Sequence, residues 1–206
     1  MASLVTLMLI AALIVGVVYA VKEKGSSVSA EDVDSVFKNA AIATDSTQCS
    51  DIGKNILLQG GNAVDAAIAA LLCCGLSTTQ SMGIGGGFFM TIYNRTSRLS
   101  TVIDARETAP ENATIDMFGG NRTASALGPL SIAVPGEIKG YWLAHQKYGH
   151  LPWKSLFQPA IQMASGGFPV PIALHKAILN SQNILSTEPS MRAVHKPGDQ
   201  KTLCGR

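Results

Sequence analysis

Residues Ser81 to Asn94 read SMGIGGGFFMTIYN, three consecutive glycines followed by an apolar, aromatic and β-branched run. Three chemistries use such glycines: a phosphate cradle, close backbone contact, or the rim of a small-molecule pocket. A P-loop needs a Lys after its last glycine, and none follows Gly87. A dinucleotide loop needs Gly-x-Gly-x-x-Gly between strand and helix. Gly83 and Gly85 fit its start, but Phe88 stands where the third glycine belongs. FFMTIY after the run has strand composition, so the helix that would receive a phosphate is missing as well. Glycine here permits positive φ and close backbone contact, which predicts a tight turn feeding a strand.

Upstream of the turn lie two helical stretches. Ser50 to Gln59 carries Ile52, Ile56 and Leu57 at helical spacing, and Gly60-Gly61 ends it. Asn62 can cap a second helix, AVDAAIAALLCC, with Asp65 at its third position. That helix is almost entirely small or apolar, which predicts burial. Two helices joined by Gly-Gly form a hairpin. The hairpin returns Cys73 and Cys74 to the neighbourhood of Cys49, and geometry alone leaves open a disulfide or three small buried side chains.

Downstream, Phe88 to Tyr93 and Leu99 to Ala105 read as strands joined by Asn94-Arg-Thr-Ser-Arg. Ser131 to Pro135 reads as a third short strand. Helices are expected from Pro135-Gly136 through Lys147, from Trp153 to Ala164, and from Pro171 to Leu185. Helices, then a hairpin, then helices predict an α+β layer structure rather than alternating βαβ units.

Composition excludes some partners. A net charge of +2 on 206 residues offers no field for nucleic acid. His145, His150, His175 and His195 show no metal-ligand spacing, and His145 and His150 flank a turn and read as solvated. No metal or cofactor is expected. Ala2 to Val21 holds no charge, and a helix of about twenty such residues spans about 30 Å of hydrocarbon. It reads as a signal anchor, or as a signal cut after Ala20. Lys22 and Lys24 follow it, which by charge alone would keep the body in the cytoplasm. Three acceptor triplets for N-glycosylation, at Asn94, Asn112 and Asn121, oppose that. The resulting expectation is a single-pass type II protein of the plasma membrane, inserted through residues 2–21, with an extracellular body; the alternative is a secreted chain. Residues 1–24 are assigned to the anchor or signal, 25–38 to a linker and 39–206 to the globular part.

Several stretches together carry a resemblance. They are Asn62 to Cys73, Ser81 to Gly87, Ile92-Tyr-Asn, and Ala105-Arg106-Glu107 with Ala109-Pro110. Further along come Val134-Pro-Gly-Glu, His145-Gln, Leu151-Pro-Trp, Leu156-Phe-Gln-Pro and Gly167-Phe-Pro-Val. From about Ala40 to Val170 the chain resembles the gamma-glutamyltransferase (glutathione hydrolase) family by these motifs. The resemblance implies part of an αββα N-terminal-nucleophile hydrolase fold. It implies gamma-glutamyl transfer from glutathione or other gamma-glutamyl donors to amino-acid or peptide acceptors or water, in partnership with a small catalytic subunit. It identifies Arg106 as the group that grips the α-carboxylate of the glutamyl donor, a task suited to a planar guanidinium. Glu107 either orients that Arg or faces solvent. Cys49 and Cys73 match the family's disulfide partners, which leaves Cys74 as a free buried thiol.

The chain departs from the family pattern in several respects. It contains no Gly-Thr dipeptide, the pair at which relatives cut themselves to expose a nucleophilic Thr. The family positions that hold the glutamyl amine and the oxyanion are expected beyond Arg206. No catalytic residue is therefore assigned, and the chain by itself is expected to be inactive. The tail carries one Cys where relatives have a close pair, and basic residues before the apolar segment are absent. Two classes of function follow: an incomplete large subunit of an enzyme, or a non-catalytic extracellular binding protein that kept the scaffold.

Overall fold

The computed structural model describes residues 39–194, with side chains through Met191. The expected anchor and the whole of the expected linker lie outside these residues, as do His195 and Cys204. No helix among the described residues is long and apolar enough to cross a membrane. The most apolar helix, α2, has 15 residues, short of the roughly 20 a span needs. The expectation of a single-pass protein of the plasma membrane is corrected on that finding.

Two helices open the globular part, α1 (Thr47–Leu58) and α2 (Ala63–Ser77). Gly60 adopts φ +89° and turns the chain, and the Gly61 N–H caps the Ile56 carbonyl at 3.0 Å. Asn62 Oδ1 accepts from the Val64 and Asp65 amides, while Asp65 reaches back to the Asn62 amide. This reciprocal box fixes the start of α2. Small residues then let the helices close on each other. A Cβ on Gly53 would collide with the Ile42 side chain and stand 3.3 Å from the Ala66 carbonyl. At the open end of the hairpin Cys49 and Cys73 form a disulfide, with Cα atoms 5.3 Å apart. Cys74 is a free, buried thiol, and burial pushes it above the usual thiol range.

Strands β1 (Phe88–Asn94) and β2 (Leu99–Ala105) pair antiparallel, Phe88 opposite Ala105 and Asn94 opposite Leu99. Arg98 in the connection has φ 57°. The face with Phe88, Met90, Ile92 and Ile103 turns to the core, and Phe89, Tyr93 and Val102 on the other face are exposed. A two-stranded ribbon is marginal alone, so it depends on the helix packed against it. That helix is α4 (Glu137–Tyr148), which follows the short α3 (Arg122–Ala126). Gly140 lets α4 approach closely, since a Cβ there would meet Ala105 and the Phe88 ring. Phe88 and Tyr141 stack with ring centroids 4.8 Å apart. Helix α5 (Trp153–Gly166) closes the core against α2. The largest fully buried side chains, Ile56, Ile68, Tyr141 and Leu156, come from α1, α2, α4 and α5 in turn.

Three expectations need revision. Residues 129–131 form a 3₁₀ turn after Gly128 at φ +93°, and only Val134 pairs, as an isolated bridge to Thr108. No third strand forms there. The helix expected from Pro171 to Leu185 is two helices, α6 (Ile172–Asn180) and α7 (Gln182–Thr187), with α8 (Pro189–Val194) after them. Only Leu174 is buried in α6 and nothing in α7, so no core contact enforces one continuous rod. His145 is not solvated. Its side chain is 14 % exposed, its Nε2–H donates to the Leu151 carbonyl at 2.8 Å, and its ring lies 5.2 Å from that of Trp153.

Candidate functional site

The glycine run sits where β2 ends and α4 begins. No glycine from 83 to 87 has positive φ, so the conformational half of the expectation fails. Close approach is the reason for glycine. A Cβ on Gly87 would strike the Ala105 carbonyl and stand 2.9 Å from Arg106 Cα and 3.0 Å from Glu107 N. Gly86 folds back on Gly83 through a 2.8 Å backbone bond. Its carbonyl then accepts from the Gly136 and Glu137 amides, at 3.0 and 3.1 Å. Gly136 has no side chain to cap α4, so the glycine turn supplies the missing acceptor.

This contact yields a direct expectation. All three atoms around a Gly87 Cβ belong to backbone and cannot rotate away. Gly87→Ala should destabilise by about 2–3 kcal/mol, in the range of overpacked sites. The urea midpoint checks it, and a midpoint equal to wild type would show that the turn has room.

Arg106 follows β2 directly, and its amide donates to Asp104 Oδ1 at 3.0 Å. Nη2 pairs with Glu107 Oε2 at 3.1 Å, and Nη1 makes a long 3.4 Å bond to the Gly87 carbonyl. The Arg106 side chain is 52 % exposed. A guanidinium has five N–H donors, so two contacts leave others free for a ligand carboxylate. Glu107 is only 24 % exposed, and its Oε2 makes no well-aligned hydrogen bond despite the ion pair. The pair is thus an electrostatic contact, with room for Arg106 to choose another acceptor.

Behind the glycine turn lies a residue that the sequence reading missed. Glu137 is 2 % exposed, and its Oε1 accepts from the Tyr141 hydroxyl at 2.7 Å. Burial raises the Glu137 carboxyl above its ordinary range, and Tyr141 and the Gly83 N–H pull the other way. Burial and the neighbouring carboxylate push the Tyr141 phenol far up. The available signal was a Glu in the first turn after Pro-Gly with a Tyr four residues on, which places both on one face.

The three candidate glycosylation residues are exposed but not near one another in role. Asn94 Oδ1 accepts from the Thr96 and Ser97 amides in the β1–β2 turn. Asn121 caps α3 through the Thr123 and Ala124 amides, and Asn112 lies in a turn. Among the described residues, no group of three or more His, Cys, Asp or Glu side chains could hold a metal ion. No Ser, Thr or Cys side chain there is hydrogen-bonded to a histidine or lysine.

The gamma-glutamyltranspeptidase family model matches residues 49–205. The chain belongs to the gamma-glutamyltranspeptidase family. It is 48 % identical over 180 residues to scoloptoxin SSD14 of Scolopendra dehaani, covering 87 % of this chain and 31 % of that protein. It is 44 % identical over 168 residues to glutathione hydrolase 3 of Arabidopsis thaliana, covering 82 % and 26 % respectively. The chain therefore spans less than a third of these curated relatives. The Pseudomonas nitroreducens gamma-glutamyltranspeptidase, solved with L-DON, superposes with a TM-score of 0.71 at 32 % identity, covering 79 % of this chain and 50 % of that one. The Helicobacter pylori enzyme gives 0.72 at 28 % identity, covering 79 % and 49 %. The α+β arrangement thus resembles the N-terminal-nucleophile-hydrolase-like fold of this family.

Proposed function

We propose that these 206 residues act as a binding scaffold of the gamma-glutamyltranspeptidase family, one that holds a ligand carboxylate on Arg106 and breaks no bond by itself. The observation that carries this reading is the Arg106 guanidinium, half exposed and only partly engaged by Gly87 and Glu107. A γ-glutamyl compound offers an α-carboxylate of the right shape for two parallel N–H···O bonds. Amide cleavage asks for more: an activated nucleophile and donors aimed at the developing oxyanion. Neither a nucleophile held by a histidine or lysine nor an assigned oxyanion site occurs among the described residues. Similar sequences also occur in proteins with different names, a scoloptoxin as well as glutathione hydrolases.

A second reading places the same grip in an enzyme. In a longer protein this chain would form part of a large subunit, and further chain would supply the small subunit and its nucleophilic Thr. Gamma-glutamyl transfer and glutathione hydrolysis would follow, with amino acids, peptides or water as acceptors. The relatives named glutathione hydrolases favour it.

Arg106→Lys tests the grip common to both. Lysine keeps the charge but loses the fork, so binding of L-glutamate or glutathione should weaken by about 1–3 kcal/mol. Titration calorimetry on wild type and variant reads this, and equal affinities would remove Arg106 from the site. Incubation of the 206-residue chain with a chromogenic gamma-glutamyl amide separates the two readings. Silence is expected, and turnover would overturn the scaffold reading in favour of the enzyme.

A further inference from the structure

Two carboxylates converge on Gly86. A Cβ there would stand 3.5 Å from Glu107 Oε1 and 3.7 Å from Glu137 Oε2. Glu107 is the ion-pair partner of Arg106, and Glu137 is the buried acid in the first turn of α4. Burying a carboxyl in a core is unfavourable unless its oxygens have partners, and a leucine would fill the same space without that cost. The contacts made by Glu137 point in one direction. Its carboxylate faces the Gly83 N–H and stands beside Gly86, whose carbonyl the backbone amides of Gly136 and Glu137 already hold. Its Oε1 is fixed from below by the Tyr141 hydroxyl, and the Tyr141 ring is locked on Phe88. The next residue of the turn, Gly87, offers its carbonyl to Arg106 Nη1.

We infer that Glu137 is a positioning residue for Arg106: it fixes the Gly83–Gly87 turn on α4, and so sets the Gly87 carbonyl and the Glu107 carboxylate that aim the guanidinium. Every link is a contact between neighbours, from the Tyr141 hydroxyl through the Glu137 carboxylate to Gly83 and Gly86, and from that turn to the two groups that touch Arg106. The inference deepens the reading of Arg106 as a carboxylate grip and rests on it for its biological meaning. Its test needs no ligand, so the two can fail separately.

Phenylglyoxal, an arginine-selective dicarbonyl, reports how freely a guanidinium can be approached. Labelling of the folded 206-residue chain is read by peptide mass spectrometry as the rate at Arg106 relative to Arg122, an exposed residue of α3. Glu137→Gln keeps the shape but replaces one acceptor oxygen with a donor. Tyr141→Phe keeps the ring on Phe88 and removes the hydroxyl that anchors Glu137. In both variants the Arg106 to Arg122 ratio should rise by about three- to tenfold, the range of one lost hydrogen bond. A merely structural role for Glu137 would lower the urea midpoint and leave that ratio unchanged in the folded chain. An unchanged ratio in both variants overturns the inference, whatever the midpoint does. Should Glu137→Gln fail to fold, Tyr141→Phe decides by the same ratio. If Arg106→Lys leaves glutamate binding intact while the ratio still rises, the grip fails and the positioning stands.

Discussion

Asp65→Ala should destabilise the chain by about 3–5 kcal/mol, from unpaired buried amides and a lost helix cap together. Asp65 is fully buried, yet it is a charged side chain at the start of the most apolar helix in the described residues. Its oxygens accept from the Asn62 amide within α2 and from the His150 and Leu151 amides across the fold, each at 3.1 Å. The donors come from residues 85 and 86 positions away, in the turn between α4 and α5. Removing the carboxylate therefore strands three N–H groups and unties two parts of the core at once. Asn62 Nδ2 also donates to the Tyr148 carbonyl, so the same corner is held from both sides of the cap. Asp65→Asn should lose less, because it retains one acceptor oxygen. Urea unfolding followed by tryptophan fluorescence is suited to the test, since Trp142 and Trp153 flank His145 beside this corner. Equal midpoints for wild type and Asp65→Ala would mean that water replaces the carboxylate without loss.

Legibility in the sequence follows the range of the interaction. The Asn62 cap, the Gly60-Gly61 turn and the β1–β2 ribbon are local, and each was readable from a few adjacent residues. The second role of Asp65 was not readable, because its donors at His150 and Leu151 are distant in sequence. The same holds for the glycine run. Its composition announced a tight turn, but whether glycine served φ or contact depended on Ala105 and Arg106, which lie nearly twenty residues on. Ser131 to Pro135 has strand-like residues and no neighbouring strand to pair with among the described residues, so β propensity had nothing to act on. Arg106 was singled out by a family motif, and what the motif could not give is its setting: a half-exposed guanidinium with donors to spare. Glu137 entered only as the last residue of the Val134-Pro-Gly-Glu motif and had no role assigned, and a glutamate near a helix start ordinarily faces water and favours the helix dipole. Only the fold shows it buried under the glycine turn.

Replacing both Cys49 and Cys73 by alanine should cost about 3 kcal/mol, the chain-entropy value for a loop of this size. The bridged residues are 24 apart in sequence and enclose most of the α1–α2 hairpin. One end of that hairpin is already closed by the Gly60 turn, so the disulfide secures the other. Ser46 makes no side-chain cap for α1, and besides the bridge this end is tied by side-chain contacts of Thr44 with Ser50 and Cys74 and of Cys49 with Ser77. Cys73 also packs on Met163 of α5, at 3.5 Å between sulfurs, and truncation would loosen that contact too. The loss should be confined to stability. Arg106 follows the ribbon, whereas α1 packs chiefly on α2, so glutamate affinity of the folded variant should stay within about twofold of wild type, as expected for separated sites. Urea midpoints and calorimetry on the same two proteins measure both halves. A midpoint that does not move would show that α1 is held by its contacts with α2 alone. A large fall in affinity at an unchanged midpoint would place the disulfide in the support of the Arg106 site.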